Sequence, residues 1–470
     1  MNVYVNEQFP YLDFMDIRPG DRVVLKPNLV KEGKETDKNE WKCVVTSPEL
    51  IRYVANYVCE KLGGKGEVYI CDAPQTDSSF EQIDKKLGLT KIASDCTSKY
   101  GVPVRIIDLR NEEWTSEKGI ITHKKKLAGD PNGTVLFNLE KNSLFYGHKG
   151  EGNYFGADSN YEELNKHHQG TIQEYLLCAT PIMADVVISL PKMKTHKKTG
   201  VTLSIKNFVG ITADKNYLPH HTWGSPKHGG DDYPDTSFKR QFETWGSKFV
   251  KRIIINIPFI GIKMAQILRA EGEKVFGATH NTIRSGNWYG NDTTWRMTLD
   301  LNRCLIYGNP DGTFRKTKKR YYSVIDGVIA MEGAGPMQGD PKECGVYISG
   351  EDPASVDTVA TTLMGFDWRK LPVVYEAFSK HEMPISEIDP QTINIVSDIK
   401  DWRGSLDELR EKEHFDFVPY FGWKGISSYL IIKRQMTNEH YIYLLFPSLL
   451  ASKYRSLSSR LQTKETAFQR

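Results

Sequence analysis

Residues 22–108 alternate short apolar, β-branched runs with amphipathic stretches, and few folds accept that alternation. The run at 22–25 ends on Lys26, Pro27 and Asn28. Ser47 then caps a helix that has Pro48 at its first position. Leu50, Ile51, Val54, Tyr57, Val58 and Leu62 recur there at helical spacing, and Gly63 and Gly64 end it. The run at 67–71 closes on Asp72, a helical stretch lies near 90–100, and a third run at 104–108 closes on Asp108. Strand, helix, strand, helix, strand at this spacing requires right-handed crossovers and hence a parallel sheet. The chain is therefore predicted to be α/β: two-lobed, with mostly parallel sheets, flanking helices and a long insertion. Lys26, Asn28, Asp72 and Asp108 would share the strand-end edge where such sheets hold ligands.

The first lobe takes in residues 1–110 and 176–221. Residues 111–175, rich in Lys, Glu, Gly, Asn and Tyr with weak periodicity, read as an inserted subdomain or a set of long surface loops. Residues 222–320 form a helical and loop connection, with helices near 238–252 and 259–275 and another running through Asp300 and Asn302. A second α/β lobe spans 321–400. It has a strand ending at Ile325, a glycine-rich loop from Glu332 to Gly339, a strand at 345–349, a helix opened by Asp352 and Pro353, and a last strand at 392–396. Residues 401–470 read as a C-terminal tail or helices.

Composition narrows the function classes. The 470 residues are 39% apolar and 26% charged with a net charge of +3, so no global field favours nucleic acid. The seven cysteines are scattered without a CxxC pair, so neither a zinc ribbon nor an iron–sulfur cluster is expected. They read as reduced core residues, which favours a reducing compartment. The first residues lack a basic segment followed by an apolar one, so no signal peptide is expected. The apolar run at 441–450 is about half of a membrane span, and basic residues follow it. A docked C-terminal helix is predicted, with a peripheral membrane or partner contact as the alternative and the cytoplasm as the location.

The chemistry concentrates at 184–221. A buried strand at 185–190 is stopped by Pro191, and a loop then carries Lys192, Lys194, His196, Lys197 and Lys198. Gly200 opens a second apolar stretch, with Lys206 and Asn207 inside it. His196 with Lys206 suits proton transfer or metal binding beside a buried, reactive or cofactor-bonded lysine. A surface histidine and a snorkelling lysine would look the same singly. The lysine cluster is an anion cradle for phosphate or carboxylate, or a solvated loop, and Lys194 is its best-placed member. Of His220 and His221, at most one can face the same site.

Asp326, Glu332 and Asp357 can converge as carboxylates for a hard cation or for acid–base work, although Asp326 suits a turn equally well. Asn287, Trp288, Asn291, Asp292, Trp295, Arg296 and Asp300 suit a sugar or polyol face, or a buried network that pins a loop. Neither GxxxxGK[ST] nor a GxGxxG in a βαβ unit occurs, so a P-loop or a dinucleotide site is not supported.

KPNLV at Lys26, PKMKTHKKTGVTLSIKNFVG, and IDGVIAMEGAGPMQGDP with EDPASVDTVATTLMG resemble, in order, motifs of the bacterial and archaeal family known only as domain of unknown function 362. The resemblance covers roughly residues 20–370. Some members carry ferredoxin-type cysteines, which this sequence lacks. His196, Lys206 and His221 are also similar in spacing to nickel-pincer lactate racemase and its relatives. That resemblance would make His196 a catalytic base, Lys206 the lysine that bonds a nickel-pincer cofactor, and His221 a metal ligand. Leu203, Ser204 and Ile205 stand where that family has a glycine pair before the lysine.

Two functions follow. One is a racemase- or epimerase-like enzyme doing acid–base chemistry on a small anionic or hydroxylated substrate. Lys26, Asn28, Lys194, His196, Lys206, Asn207 and His221 would form one wall, faced by Asp326, Glu332 and Asp357. The other is a non-catalytic module that binds or transfers a phosphate- or sugar-bearing ligand, as in surface-glycan assembly.

Overall fold

The computed structural model describes residues 1–32, 41–117, 120–157, 160–235 and 283–427, with Gly246, Phe249, Arg252 and Ile253 between them. The helix expected at 259–275, nearly all of that at 238–252, and the apolar and basic segment after 427 lie outside the described residues. Residues Met1–Ile426 form one compact unit.

Eleven strands build its central sheet: β1 (Asn2–Asn6), β2 (Arg22–Pro27), β3 (Glu67–Asp72), β4 (Val104–Asp108), β5 (Val186–Leu190), β6 (Lys192–His196), β7 (Gly200–Thr202), β8 (Arg320–Glu332), β9 (Asp340–Gly350), β10 (Asn394–Ser397) and β11 (Gly404–Ser405). Their order is β11-β10-β1-β9-β8-β5-β2-β3-β4, with β6 beside β8 and β7 beside β6. The run from β8 through β5, β2 and β3 to β4 is parallel throughout. The α/β class with a mostly parallel sheet is thus as read. The strands expected in a second lobe, β8 to β10, are hydrogen-bonded into the same sheet as those of the first.

Strand β2 shows why the sheet is buried on both faces. Val23 and Leu25 pack into one apolar cluster and Val24 into the other, as the two-residue period of a strand requires. The first cluster is closed by α1 (Pro48–Leu62), where Ser47 caps the start and Gly63, at φ 56°, ends the helix in the left-handed region. Helices α2 (Phe80–Leu87) and α3 (Leu89–Tyr100) complete the crossover to β4. On the opposite face lie α4 (Ser204–Asn207), α5 (Thr294–Tyr307) and α6 (Pro353–Leu363).

The segment 111–175 carries a hairpin, residues Glu112–Glu117 with Ile120–Lys126, and a small antiparallel sheet in which Thr134–Asn138 pairs with Ile172–Cys178. All seven cysteines are unbridged and all except Cys344 are buried. No described helix is long and apolar enough to cross a membrane.

One local expectation fails instructively. Residues 192–196, read as a loop because Pro191 interrupts the run, form strand β6 parallel to β8. Pro191 stands where the chain changes neighbour. Strand β5 pairs with β2 up to Leu190, and the Pro191 carbonyl accepts from the Asp326 amide (2.8 Å) as β6 begins. A proline costs the ladder nothing at such a switch.

Candidate functional site

The carboxyl ends of β2 and β3, the turn after β6 and the segment from α4 to His220 enclose a cavity of about 470 Å³. Its floor is an ion pair: Lys26 Nζ lies 2.7 Å from Asp72 Oδ1, both side chains being buried. Lys26 Nζ also donates to the Pro27 carbonyl (2.8 Å) and to Asn207 Oδ1 (3.2 Å). The Asn207 amide returns hydrogen bonds to the Lys26 carbonyl (2.8 Å) and to Ser189 Oγ (3.1 Å), tying α4 to β2 and β5. Gly210 closes over this pair, and its carbonyl accepts from the Ala73 amide.

Above the floor the lining is cationic. His196, Lys197, Lys198, Lys206, Lys215 and His220 all face the cavity. Lys198 Nζ donates to the His220 carbonyl (3.0 Å) and to the Ser285 carbonyl. Lys206 is half-buried, and no described residue pairs with its ammonium. Burial, with Lys215, Lys198 and Lys26 nearby, pulls its pKa down to about 7. Burial also lowers Lys215. Asp72 and Asp77 are the lining carboxylates, and each already has a lysine, Asp72 with Lys26 and Asp77 with Lys31 (2.7 Å). No lining carboxylate is left over for Lys206 or Lys215.

The two histidines are oriented oppositely by their backbone partners. His196 Nδ1 accepts from the amides of Lys198 (3.0 Å) and Thr199 (3.2 Å). Burial first, then Lys206, Lys197, Lys194 and Lys198, hold its pKa well below the usual histidine range. The ring is neutral, and these partners put its proton on Nε2. His220 Nδ1 donates to the Leu218 carbonyl (2.9 Å), which leaves Nε2 as the acceptor. Burial, Lys198 and Lys206 push the His220 pKa down to about 3. One imidazole therefore offers a donor and the other a lone pair.

Of the residues singled out in the sequence, Asn28, His196, Lys206 and Asn207 line the cavity and Lys26 forms its floor. Others lie elsewhere. Lys194 is buried with Nζ on the Val44 carbonyl (2.7 Å), and burial beside Lys192 lowers its pKa to about 7. It is not part of the lining. His221 pairs in a short strand with Phe155 and lies tilted against that ring at 5.4 Å, and His220 is the member of the pair that lines the cavity.

The three carboxylates do not converge. Asp326 is paired with Lys192 (2.8 Å) and accepts from the Ser47 amide. Asp357 accepts from the amides of Ser204 (2.8 Å) and Ile205 (3.0 Å), fixing the start of α4. Glu332 is paired with Lys342 (2.8 Å) and accepts from the Val418 amide. Among the described residues no group of three or more His, Cys, Asp or Glu side chains is placed to hold a metal ion.

Asn291, Asp292 and Arg296 form the loop-pinning network rather than a sugar face. Asn291 donates to the carbonyls of Lys198, Gly286 and Trp288, and Asp292 bridges His148 and Arg296. The donor set does not fit a nickel-pincer group as expected from spacing. His221 is not in the cavity lining, and His196 presents an N–H where the expected base needs a lone pair.

Two contributors carried no sequence signal: Trp114 and Ile121 come from the 112–126 hairpin, outside every motif, and reach the cavity through tertiary packing. Lys215 and Met337 also line it; they lie inside stretches the sequence marks, 184–221 and the loop from Glu332 to Gly339, without being singled out there.

The fold and the site define an α/β protein with a cationic pocket at the carboxyl edge of its parallel strands. The chain belongs to the domain of unknown function family DUF362, whose profile matches residues 23–130 and 142–362. It is 20% identical over 358 residues to a thylakoid-associated protein of Synechocystis sp., spanning 76% of this chain and 67% of that protein. A crystal structure of a Thermotoga maritima protein overlaps 73% of this chain at 12% identity with a TM-score of 0.29. The overlap spans about half of that chain (53%).

Proposed function

We propose that the cavity binds a small anionic substrate and that the protein performs acid–base chemistry on it, as an isomerase- or racemase-like enzyme would. The observation that supports this is Lys206, which no described residue pairs, in a lysine-lined cavity whose carboxylates already have partners. Burying such charge is unfavourable unless an anion joins it. Phosphate or carboxylate is the matching chemistry.

The roles differ from the spacing-based assignment. His196 acts as a neutral donor through Nε2–H, polarising a substrate oxygen, and not as the base. The Lys206 amine, with its pKa of about 7, accepts the proton.

Titration calorimetry with inorganic phosphate and with 2-hydroxy acids tests binding, and loss of the carbon-bound proton to D2O, followed by NMR, tests chemistry. Lys206→Gln is expected to weaken phosphate binding at least tenfold, about 1.4 kcal/mol. His196→Ala is expected to abolish exchange in a folded protein. Absence of phosphate binding to the wild-type chain would refute the anion pocket, and full exchange in His196→Ala would refute the donor role.

A further inference from the structure

We infer that Lys206 is a nucleophile that forms an imine with the carbonyl carbon of a small substrate that also bears an anionic group. This rests on the anion-pocket reading and names the substrate class for it: oxo acids and phosphorylated aldehydes.

The lysines around the cavity are not equivalent. Lys26 is held by a carboxylate, a carbonyl and an amide oxygen. Lys198 is held by two carbonyls, those of His220 and Ser285. Lys206 projects from α4 between the buried residues Ile205 and Asn207, and no described acceptor takes its hydrogens. Lys197 and Lys215 also lack a described acceptor, but of the three only Lys206 lies close enough to act on both His196 and His220. A lysine kept as a free amine needs cationic neighbours and a dry wall, and both are present. Trp114, Val209, Leu218 and Met337 supply apolar wall, which limits the water that would hydrolyse an imine. Lys197 and Lys215 line the same cavity and are placed for the anionic group.

The step balances within the site. The Nζ lone pair attacks the carbonyl carbon, the C–Nζ bond forms, and the π pair moves to oxygen. The carbinolamine then expels that oxygen as water when the C–O bond breaks. Both hydrogens of the water originate on Nζ, and His220 Nε2, a free acceptor, can carry them. His196 Nε2–H can steady the oxygen as charge develops. No oxidant or reductant is consumed.

The test treats the full chain with pyruvate and sodium cyanoborohydride, then maps the adduct by peptide mass spectrometry. Phosphate-induced thermal shift is measured on the same samples. A single stoichiometric adduct at Lys206, suppressed by excess phosphate, is the expected result. Lys206→Arg should lose the adduct, whereas Lys91→Arg, at an exposed side chain away from the cavity, should keep both the adduct and the phosphate shift. Adducts spread over exposed lysines such as Lys91, or no adduct with the phosphate shift intact, would overturn the imine and leave the anion pocket standing. Loss of both signals in the wild-type chain would overturn the two together.

Discussion

Gly210 is the residue on which the site floor is most sensitive. A Cβ there would stand 2.1 Å from Asp72 Oδ1 and 2.9 Å from Lys26 Nζ, closer than any real contact. Neither neighbour can yield, because both are buried and bonded to each other. The glycine is required for close approach, since its φ of −81° suits any residue. Gly210→Ala should therefore cost about 1–3 kcal/mol, the range of overpacking, and weaken phosphate binding by displacing the floor. Urea titration and calorimetry read the two effects, and unchanged stability with unchanged affinity would show that the backbone relaxes freely. Sequence alone marked Gly210 only as the end of an apolar stretch. The crowding that makes it necessary comes from β2 and β3, more than a hundred residues away in the chain.

The strands show what was legible and what was not. The parallel run of β2, β3, β4 and β5 could be read directly because each alternates into two apolar clusters and ends on a turn signal. Strand β6 could not, because its lysines look like a loop. Lys192 and Lys194 are buried only because tertiary partners await them: Asp326 for the first and the Val44 carbonyl for the second. Likewise the site histidine was legible only as a pair, and Leu218 decides that His220 turns inward. The Lys192–Asp326 bond pins β6 to β8, and both side chains are almost fully buried. Asp326→Asn should leave a buried ammonium without its counter-charge and cost about 3–5 kcal/mol. A loss below 1 kcal/mol in urea titration would show that water reaches Lys192.

Across the whole molecule, several buried lysines link stability to pH. Burial, with Lys192 adding to it, lowers Lys194 to about 7, and burial with Arg315 lowers Lys319 to about 7. Their unfolded value is 10.5. Between these limits the unfolded chain binds more protons than the folded one, so stability rises with pH. Conversely, the contribution is lost as pH falls through 7. Each such lysine adds a slope of at most about 1.4 kcal/mol per pH unit. The window to examine runs from about pH 7 to 8.5, the usual thiol pKa. Above it the unfolded cysteines ionise while Cys71 and Cys304, raised by burial, do not, and their contribution opposes the rise. Urea titrations across that window should show stability increasing. Lys194→Met should flatten the rise, since Met fills the space without a proton to release. An unchanged slope in that variant would mean that Lys194 stays charged when folded, its ammonium held by the Val44 carbonyl and solvent rather than expelled by its surroundings.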